Sequence, residues 1–299
     1  MTKSLRLGTR GSPLAVIQAE MVAAALKKAH GCLVEIVTLK TSGDRIQNRP
    51  LAEIGGKAVW TKELDRALLA GETDLSVHSM KDVESERPEG LGIAAILERA
   101  DRRDRLIGAE RLDALREGAI IGTSSPRRAA QLRHLRPDLK TVNLRGNVAT
   151  RMKAVDSGQV DATLLAAAGL DRLGLVDVGH ALDDLLPAPA QGAVGIDARE
   201  DDLKTRNLLA AIDHAETHED VLVERAFVRA LGGDCHSPVA AAARHDNGRI
   251  TLDAALYAED GSACVTGSCH MAVGDADPAI ALAETLLSDA PPSIRELFT

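Results

Sequence analysis

Cys235 lies on a glycine-bearing turn, Gly232-Gly233-Asp234-Cys235-His236-Ser237-Pro238, and upstream of it arginines recur on short turns that lead from strands into helices. A thiol on a loop opposite guanidinium groups suits the covalent tethering of an anionic molecule, because the thiolate is the nucleophile and Arg grips a carboxylate with two parallel hydrogen bonds. A Cys-His hydrolase is the other chemistry such a thiol offers, although the neighbouring Cys235 and His236 would have to face each other. Asp82, in Ser79-Met80-Lys81-Asp82, is a carboxylate among cations and is of no use for holding an anion. Either it forms a structural ion pair, or it offsets positive charge that develops in a reaction. At about 4 Å and an effective dielectric of about 20, that offset amounts to ~4 kcal/mol, close to three decades in rate.

Arg10, Ser12, Lys81, Thr123, Ser125, Arg127, Arg128, Arg145, Arg151 and Arg172 all fall at or near the exits of expected strands. In open α/β sheets ligands bind outside the carboxyl ends of the strands, where helix N-termini present unpaired N–H groups. One such arginine is most simply a solvated surface charge. Repetition at successive exits points to one cleft between two lobes for a ligand bearing several carboxylates or phosphates. No Gly-x-x-x-x-Gly-Lys-Ser/Thr run occurs, so a Walker loop is excluded, and Gly55-Gly56-Lys57 is only an echo of one. Cys264, Cys269 and His270 lack a second Cys/His pair at zinc-finger spacing and read as strand residues, so no metal is expected.

The elements that must carry these residues alternate. Leu5-Arg6-Leu7 opens a strand, Gly8 to Gly11 turn it, and Ser12-Pro13 start an amphipathic helix running to about His30. A strand is expected over Val34–Leu39, a long aperiodic stretch over 41–59, a helix over Thr61–Ala70 and a strand over Asp74–His78. The charged run Glu98–Arg105 reads as a solvated crossing between domains. Beyond it the opening unit recurs: strand Ala119-Ile120-Ile121, turn Gly122-Thr123-Ser124, then Ser125-Pro126 capping a helix. This repetition suggests a duplicated α/β lobe. Strands at Thr141–Leu144 and Asp161–Ala167 and a helix over Val148–Asp156 complete it, and Leu186-Pro187-Ala188-Pro189-Ala190 forms a stiff return linker. A third unit holds a helix through Val221–Leu231, the cysteine turn, strands Arg249–Ala258 and Cys264–Val273, and a last helix over Pro278–Ser288.

With 299 residues, 45% hydrophobic and 27% charged, the chain can bury two or three cores. At 1% aromatic residues those cores must be aliphatic, and stacking on bases is nearly unavailable, so no nucleic acid is expected as a partner. The net charge of −8 leaves local charge arrangement to decide ligand affinity. Scattered cysteines and the lack of a long apolar run imply a reduced, cytoplasmic protein with no membrane association.

Taken together, Thr9-Arg10-Gly11-Ser12-Pro13-Leu14-Ala15, Gly55-Gly56-Lys57, Val77-His78-Ser79-Met80-Lys81-Asp82, Gly122-Thr123-Ser124-Ser125-Pro126-Arg127-Arg128, Leu144-Arg145-Gly146-Asn147, Leu164–Leu173, Gln191-Gly192-Ala193-Val194-Gly195 and the Cys235 turn resemble, in this order, the porphobilinogen deaminases (hydroxymethylbilane synthases). The resemblance spans essentially the whole chain. It implies an α/β fold of three domains: two lobes like those of periplasmic binding proteins, the first from 1–98 with 191–213 and the second from 99–190, and a small C-terminal α+β domain over 214–299. It implies a transferase of haem and chlorophyll biosynthesis, a monomer, with a dipyrromethane primer joined by a thioether to Cys235. Four porphobilinogens add head to tail with loss of ammonia, and water then releases hydroxymethylbilane. By the same resemblance Asp82 contacts pyrrole N–H groups and steadies the methylene-pyrrolenine cation. Lys81, Asp44, Thr123, Ser125, Arg127 and Arg128 match primer positions. Arg10, Ser12, Gln18, Ser79, Arg145, Arg151, Arg172 and Gln191 match substrate or chain-handling positions, and Lys57 and Trp60 belong to the lid.

The chain departs from the family pattern at Trp60, where Phe is common, and at Ala58-Val59, where Gly-Leu is common. Glu53, Ser42 and Asp234 stand where relatives often carry lysine, arginine and glycine. None of these removes a residue that the chemistry requires. The rival class, a non-catalytic two-lobed module for a small carboxylated ligand, accounts for the arginines but leaves Cys235 and Asp82 without a task.

Overall fold

The computed structural model describes residues 4–41, 61–233 and 237–298. The chain forms β1 (Leu5–Arg10), α1 (Pro13–His30), β2 (Val34–Leu39), α2 (Lys62–Leu69), β3 (Leu75–Ser79) and β4 (Leu91–Ile96). Next come β5 (Asp104–Ile107), β6 (Ile120–Gly122), α3 (Pro126–Leu135), β7 (Lys140–Val142), α4 (Val148–Asp156), β8 (Ala162–Ala166), α5 (Ala167–Arg172) and β9 (His180–Leu182). The remainder is β10 (Val194–Arg199), α6 (Leu203–Ala210), α7 (Ala215–Ala230), β11 (Val239–Asp246), β12 (Arg249–Tyr257), β13 (Cys264–Ala272), α8 (Asp277–Asp289) and α9 (Pro292–Arg295). Among the described residues these build two five-stranded sheets and one three-stranded sheet.

Two compact units result, one from 1–100 with 192–218 and the other from 101–191 with 219–299. The first holds the sheet β2-β1-β3-β10-β4. β1 runs parallel to β2 and β3, whereas β10 is antiparallel to both β3 and β4. α1 begins where Ser12 caps it, its hydroxyl accepting from Ala15 N–H at 3.3 Å, with Pro13 in the first turn; it ends at left-handed Gly31. Its inner face buries Ala19, Val22 and Leu26 against Leu7, Leu75 and Ile196.

The second unit holds the sheet β7-β6-β8-β5-β9, with β6 parallel to β7 and β8, and β5 antiparallel to β8. The strand pattern is that of the first sheet: three parallel strands, then an antiparallel fourth strand. This is the duplication that the paired Ser-Pro caps suggested. Leu106, Ile121, Leu132 and Leu164 fill this core. The same unit includes the antiparallel sheet β11-β12-β13, whose core of Phe227, Ile250, Leu252, Leu256 and Ala283 lies against α7 and α8. Ala130 of α3 packs with Ala240, Ala255 and Tyr257 of that sheet. Leu, Ile, Val and Ala dominate all three cores, as the scarcity of aromatics requires.

Two local expectations change. The run Glu98–Arg105 is not wholly solvated: Asp104 begins β5 and is fully buried. Strands β4, β9 and β11 and helices α5, α6 and α9 were not foreseen, because short or alanine-rich segments such as Val239–Asp246 and Leu91–Ile96 show neither clear period. No helix among the described residues is long and apolar enough to cross a membrane.

Candidate active site

The parallel strands of the first unit all end at one edge. Arg10 closes β1, Ser12 caps α1, and Ser79 closes β3. A single 3-10 turn, Met80–Asp82, then carries Lys81 and Asp82, both partly exposed. Gln18, on the buried face of α1, is 3% exposed, and its Nε2 finds no hydrogen-bond partner among the described residues. The turn is tied back to the sheet where Met80 N–H donates to Ala193 C=O at 3.1 Å. One edge of this unit thus gathers a guanidinium, an ammonium, hydroxyls and one carboxylate.

Beneath that edge lies a buried charged group the sequence did not single out. His78 Nε2 is 3.2 Å from Asp197 Oδ2, and Arg87 pairs with Asp197 at 2.7 Å and also with Asp65. The ligand atoms of Asp65, His78 and Asp197 lie within 4.8 Å of one another, the spacing of a metal site. The Arg87 guanidinium, itself paired with both carboxylates, supplies the positive charge there.

In the second unit the strand exits again point to one edge. Thr123, 4% exposed, donates its backbone N–H to Val142 C=O, and its Oγ1 accepts from Ser125 N–H at 3.2 Å. Ser125 caps α3, its hydroxyl accepting from Arg128 N–H at 3.4 Å. Arg127 and Arg128 then turn inward. Arg127 donates to Asp104 Oδ2 and to Leu186 C=O, both at 2.8 Å. Arg128 donates to Asp104 Oδ1 at 2.7 Å and to Leu164 C=O at 3.0 Å. The Gln191 amide adds bonds of 2.8 Å to Asp104 Oδ1 and to Arg102 C=O. Burial alone would raise the Asp104 carboxyl, but the two guanidiniums outweigh it and hold the group far below the ordinary carboxylate range. Burial also lowers Arg127, with Arg128 adding repulsion and Asp104 opposing both.

Arg151 lies on α4 and donates to Gly146 C=O and to Ser124 Oγ, each at 3.1 Å. Arg145 precedes that helix on the turn after β7, and Arg172 ends α5, where burial lowers its pKa. The exits thus bring together Arg10, Ser12, Ser79, Lys81 and Asp82 in one unit and Thr123, Ser125, Arg145, Arg151 and Arg172 in the other. Arg127, Arg128 and Gln191 are drawn onto Asp104. Asp44, Lys57, Trp60 and Cys235 lie outside the described residues.

Two guanidiniums against one carboxylate leave one positive charge, and the buried Nε atoms of Arg127 and Arg128 find no hydrogen-bond partner among the described residues. That donor set fits a group bearing several carboxylates. The model of the family described as "Porphobilinogen deaminase, dipyromethane cofactor binding domain" matches residues 5–207, and "Porphobilinogen deaminase, C-terminal domain" matches residues 218–288. The chain belongs to the porphobilinogen deaminase family. The porphobilinogen deaminase of Sphingopyxis alaskensis is 57% identical over 305 residues, covering 98% of this chain and 96% of that protein. That of Acidithiobacillus ferrooxidans is 49% identical over 294 residues, covering 95% and 96%. Immunogenic lipoprotein A from Vibrio vulnificus is a more distant likeness, 16% identical with a TM-score of 0.44 over 72% of this chain and 96% of that one.

Asp104, like the buried group around Arg87, is a residue of the candidate site that sequence reasoning passed over. Its signal was the apolar pair Leu106-Ile107 just beyond Arg105, which marks a strand rather than a connector.

Proposed function

We propose that this chain is a hydroxymethylbilane-forming transferase that condenses four porphobilinogens head to tail onto a primer, releasing ammonia at each step and the linear tetrapyrrole by hydrolysis. Membership of the deaminase family over residues 5–207 and 218–288 is the observation that carries this reading. A non-catalytic binding module is not favoured, since the close relatives bear an enzyme's name.

The primer is a dipyrromethane held by a thioether from Cys235, and when bound it supplies the pyrrole carbon that the next unit extends. Lys81, Thr123, Ser125, Arg127 and Arg128 hold its carboxylates, with Asp44 at the same group. Asp104 keeps the two arginines oriented, and the pair of guanidiniums leaves one positive charge over for the primer. Arg10, Ser12, Gln18, Ser79, Arg145, Arg151, Arg172 and Gln191 take the acetates and propionates of incoming rings, and Lys57 and Trp60 cover them.

Asp82 does the charge work. Ammonia leaves porphobilinogen with its bonding electrons, so positive charge develops on the substrate ring, and a carboxylate accepting the pyrrole N–H lowers that barrier by electrostatic stabilisation. The same carboxylate also assists the reaction's proton transfers by accepting a proton from the ring that has added. The Cys235 domain over 214–299, the two lobes at 1–98 with 191–213 and 99–190, a monomeric state and a cytoplasmic location complete the reading. The mass of the intact purified protein tests it: two linked pyrrole rings above the chain mass are expected, and Cys235→Ser should remove that excess. A bare chain mass for the active wild-type protein would overturn the primer.

A further inference from the structure

The turn that carries Asp82 is held from β10 at one tightly packed point. In the β3–β10 ladder Ser79 lies opposite Val194 and His78 opposite Gly195, and Met80 N–H reaches Ala193 C=O at 3.1 Å. The Met80 side chain, 1% exposed, folds back over Gly195. A methyl at position 195 would overlap Met80 Sδ and lie 2.8 Å from Met80 Cγ. Because Cγ is bonded directly to Cβ, rotating the thioether end cannot relieve that clash. Either χ1 or the backbone of Met80 must move, and Met80 is buried, so either shift disturbs its packing. On its far side the turn is followed by Arg87, which pairs with Asp197 of β10 at 2.7 Å and with Asp65 of α2, so the chain is fastened to the same strand before and after Asp82.

We propose that Gly195 and Met80 act as a positioning pair for Asp82: the bare Cα of Gly195 seats Met80, and the seated Met80 sets where the Asp82 carboxylate stands. The inference rests on the reading of Asp82 as the charge-stabilising group. A rigid support is what such a group needs, since a misplacement of about 1 Å costs on the order of 100-fold in rate.

The test is a cycle on the primer-loaded enzyme, with intact mass confirming the primer in every variant. Gly195→Ala is expected to lower kcat by roughly 100-fold with KM unchanged within about twofold, as a displaced transition-state group does. Met80→Ala, which removes the seated side chain itself, should also lower kcat at unchanged KM, and the double variant Gly195→Ala/Met80→Ala should be within about threefold of the slower single variant, because both changes break one seat. In an Asp82→Asn background Gly195→Ala should have less than about a twofold effect, because the group it displaces is already gone. If Gly195→Ala slows the Asp82→Asn enzyme as much as it slows the wild type, or if the losses from Gly195→Ala and Met80→Ala simply multiply in the double variant, the positioning role is overturned while Asp82 stands. A near-normal rate for Asp82→Asn alone would overturn both. Should Gly195→Ala not fold, Met80→Ala replaces it in the same cycle and must likewise lose its effect in the Asp82→Asn background.

Discussion

Arg128 Nη2 lies 2.7 Å from Asp104 Oδ1 in a place from which water is almost wholly excluded, both side chains being 6% exposed or less. Asp104 gives its other oxygen to Arg127, so a single carboxylate orients both arginines at the start of α3. Removing one partner of a buried pair is costly because the remaining charges stay buried. Asp104→Asn should therefore lose about 3–5 kcal/mol in urea unfolding and emerge with little primer by intact mass.

The same carboxylate gives a pH signature. Its folded pKa lies below the ordinary 3.8, so the stability it contributes is fully present above that value and is lost as pH falls below it. The wild-type unfolding free energy should fall steadily from pH 4 downward. Asp104→Asn should lie lower and show a shallower acid slope; parallel curves for the two proteins would contradict the assignment.

The strand-exit part of the candidate site was legible because it sits at chain punctuation. Ser12-Pro13 and Ser125-Pro126 announce helix starts whatever the tertiary context, and the cations beside them fall at strand exits by simple counting. Asp82 was visible as a carboxylate with no partner of obvious use. What stayed hidden depends on contacts far apart in sequence. Asp104 looked like one charge in a solvated run until Arg127, Arg128 and Gln191 converged on it, and Arg87 gave no hint that it would meet Asp65 and Asp197. No periodicity reports such pairings, nor that Gly195 must stay bare beneath Met80.

Arg87 yields a stability prediction independent of catalysis. Its side chain is 7% exposed and neutralises Asp65 and Asp197, which are 6% and 0% exposed. Arg87→Met keeps most of the aliphatic stem but leaves two carboxylates buried with His78. A loss of about 3–5 kcal/mol is expected by urea unfolding at pH 7.5. Asp65→Asn in addition should recover part of that loss, because the repulsion it relieves is the source of the cost.

Asp82→Ala should leave the fold and the bound primer intact and cut turnover by about three decades, the magnitude expected when ~4 kcal/mol of transition-state stabilisation is lost. Circular dichroism and intact mass check the first part and a steady-state assay the second. An unchanged kcat would remove Asp82 from the mechanism.

The cysteines give a last check that needs no substrate. The sequence contains four. Cys32 is buried, and burial raises the thiols of Cys264 and Cys269, which lowers the thiolate fraction on which alkylation depends. In the native protein these three should react slowly with iodoacetamide at pH 7.5. Unfolding in urea removes the protection, and a Cys235 already bonded to the primer through carbon cannot react at all. The denatured holoprotein should therefore take up three equivalents of reagent, and protein stripped of primer four. Four equivalents from fully loaded enzyme would mean that the primer is not held through Cys235 sulfur.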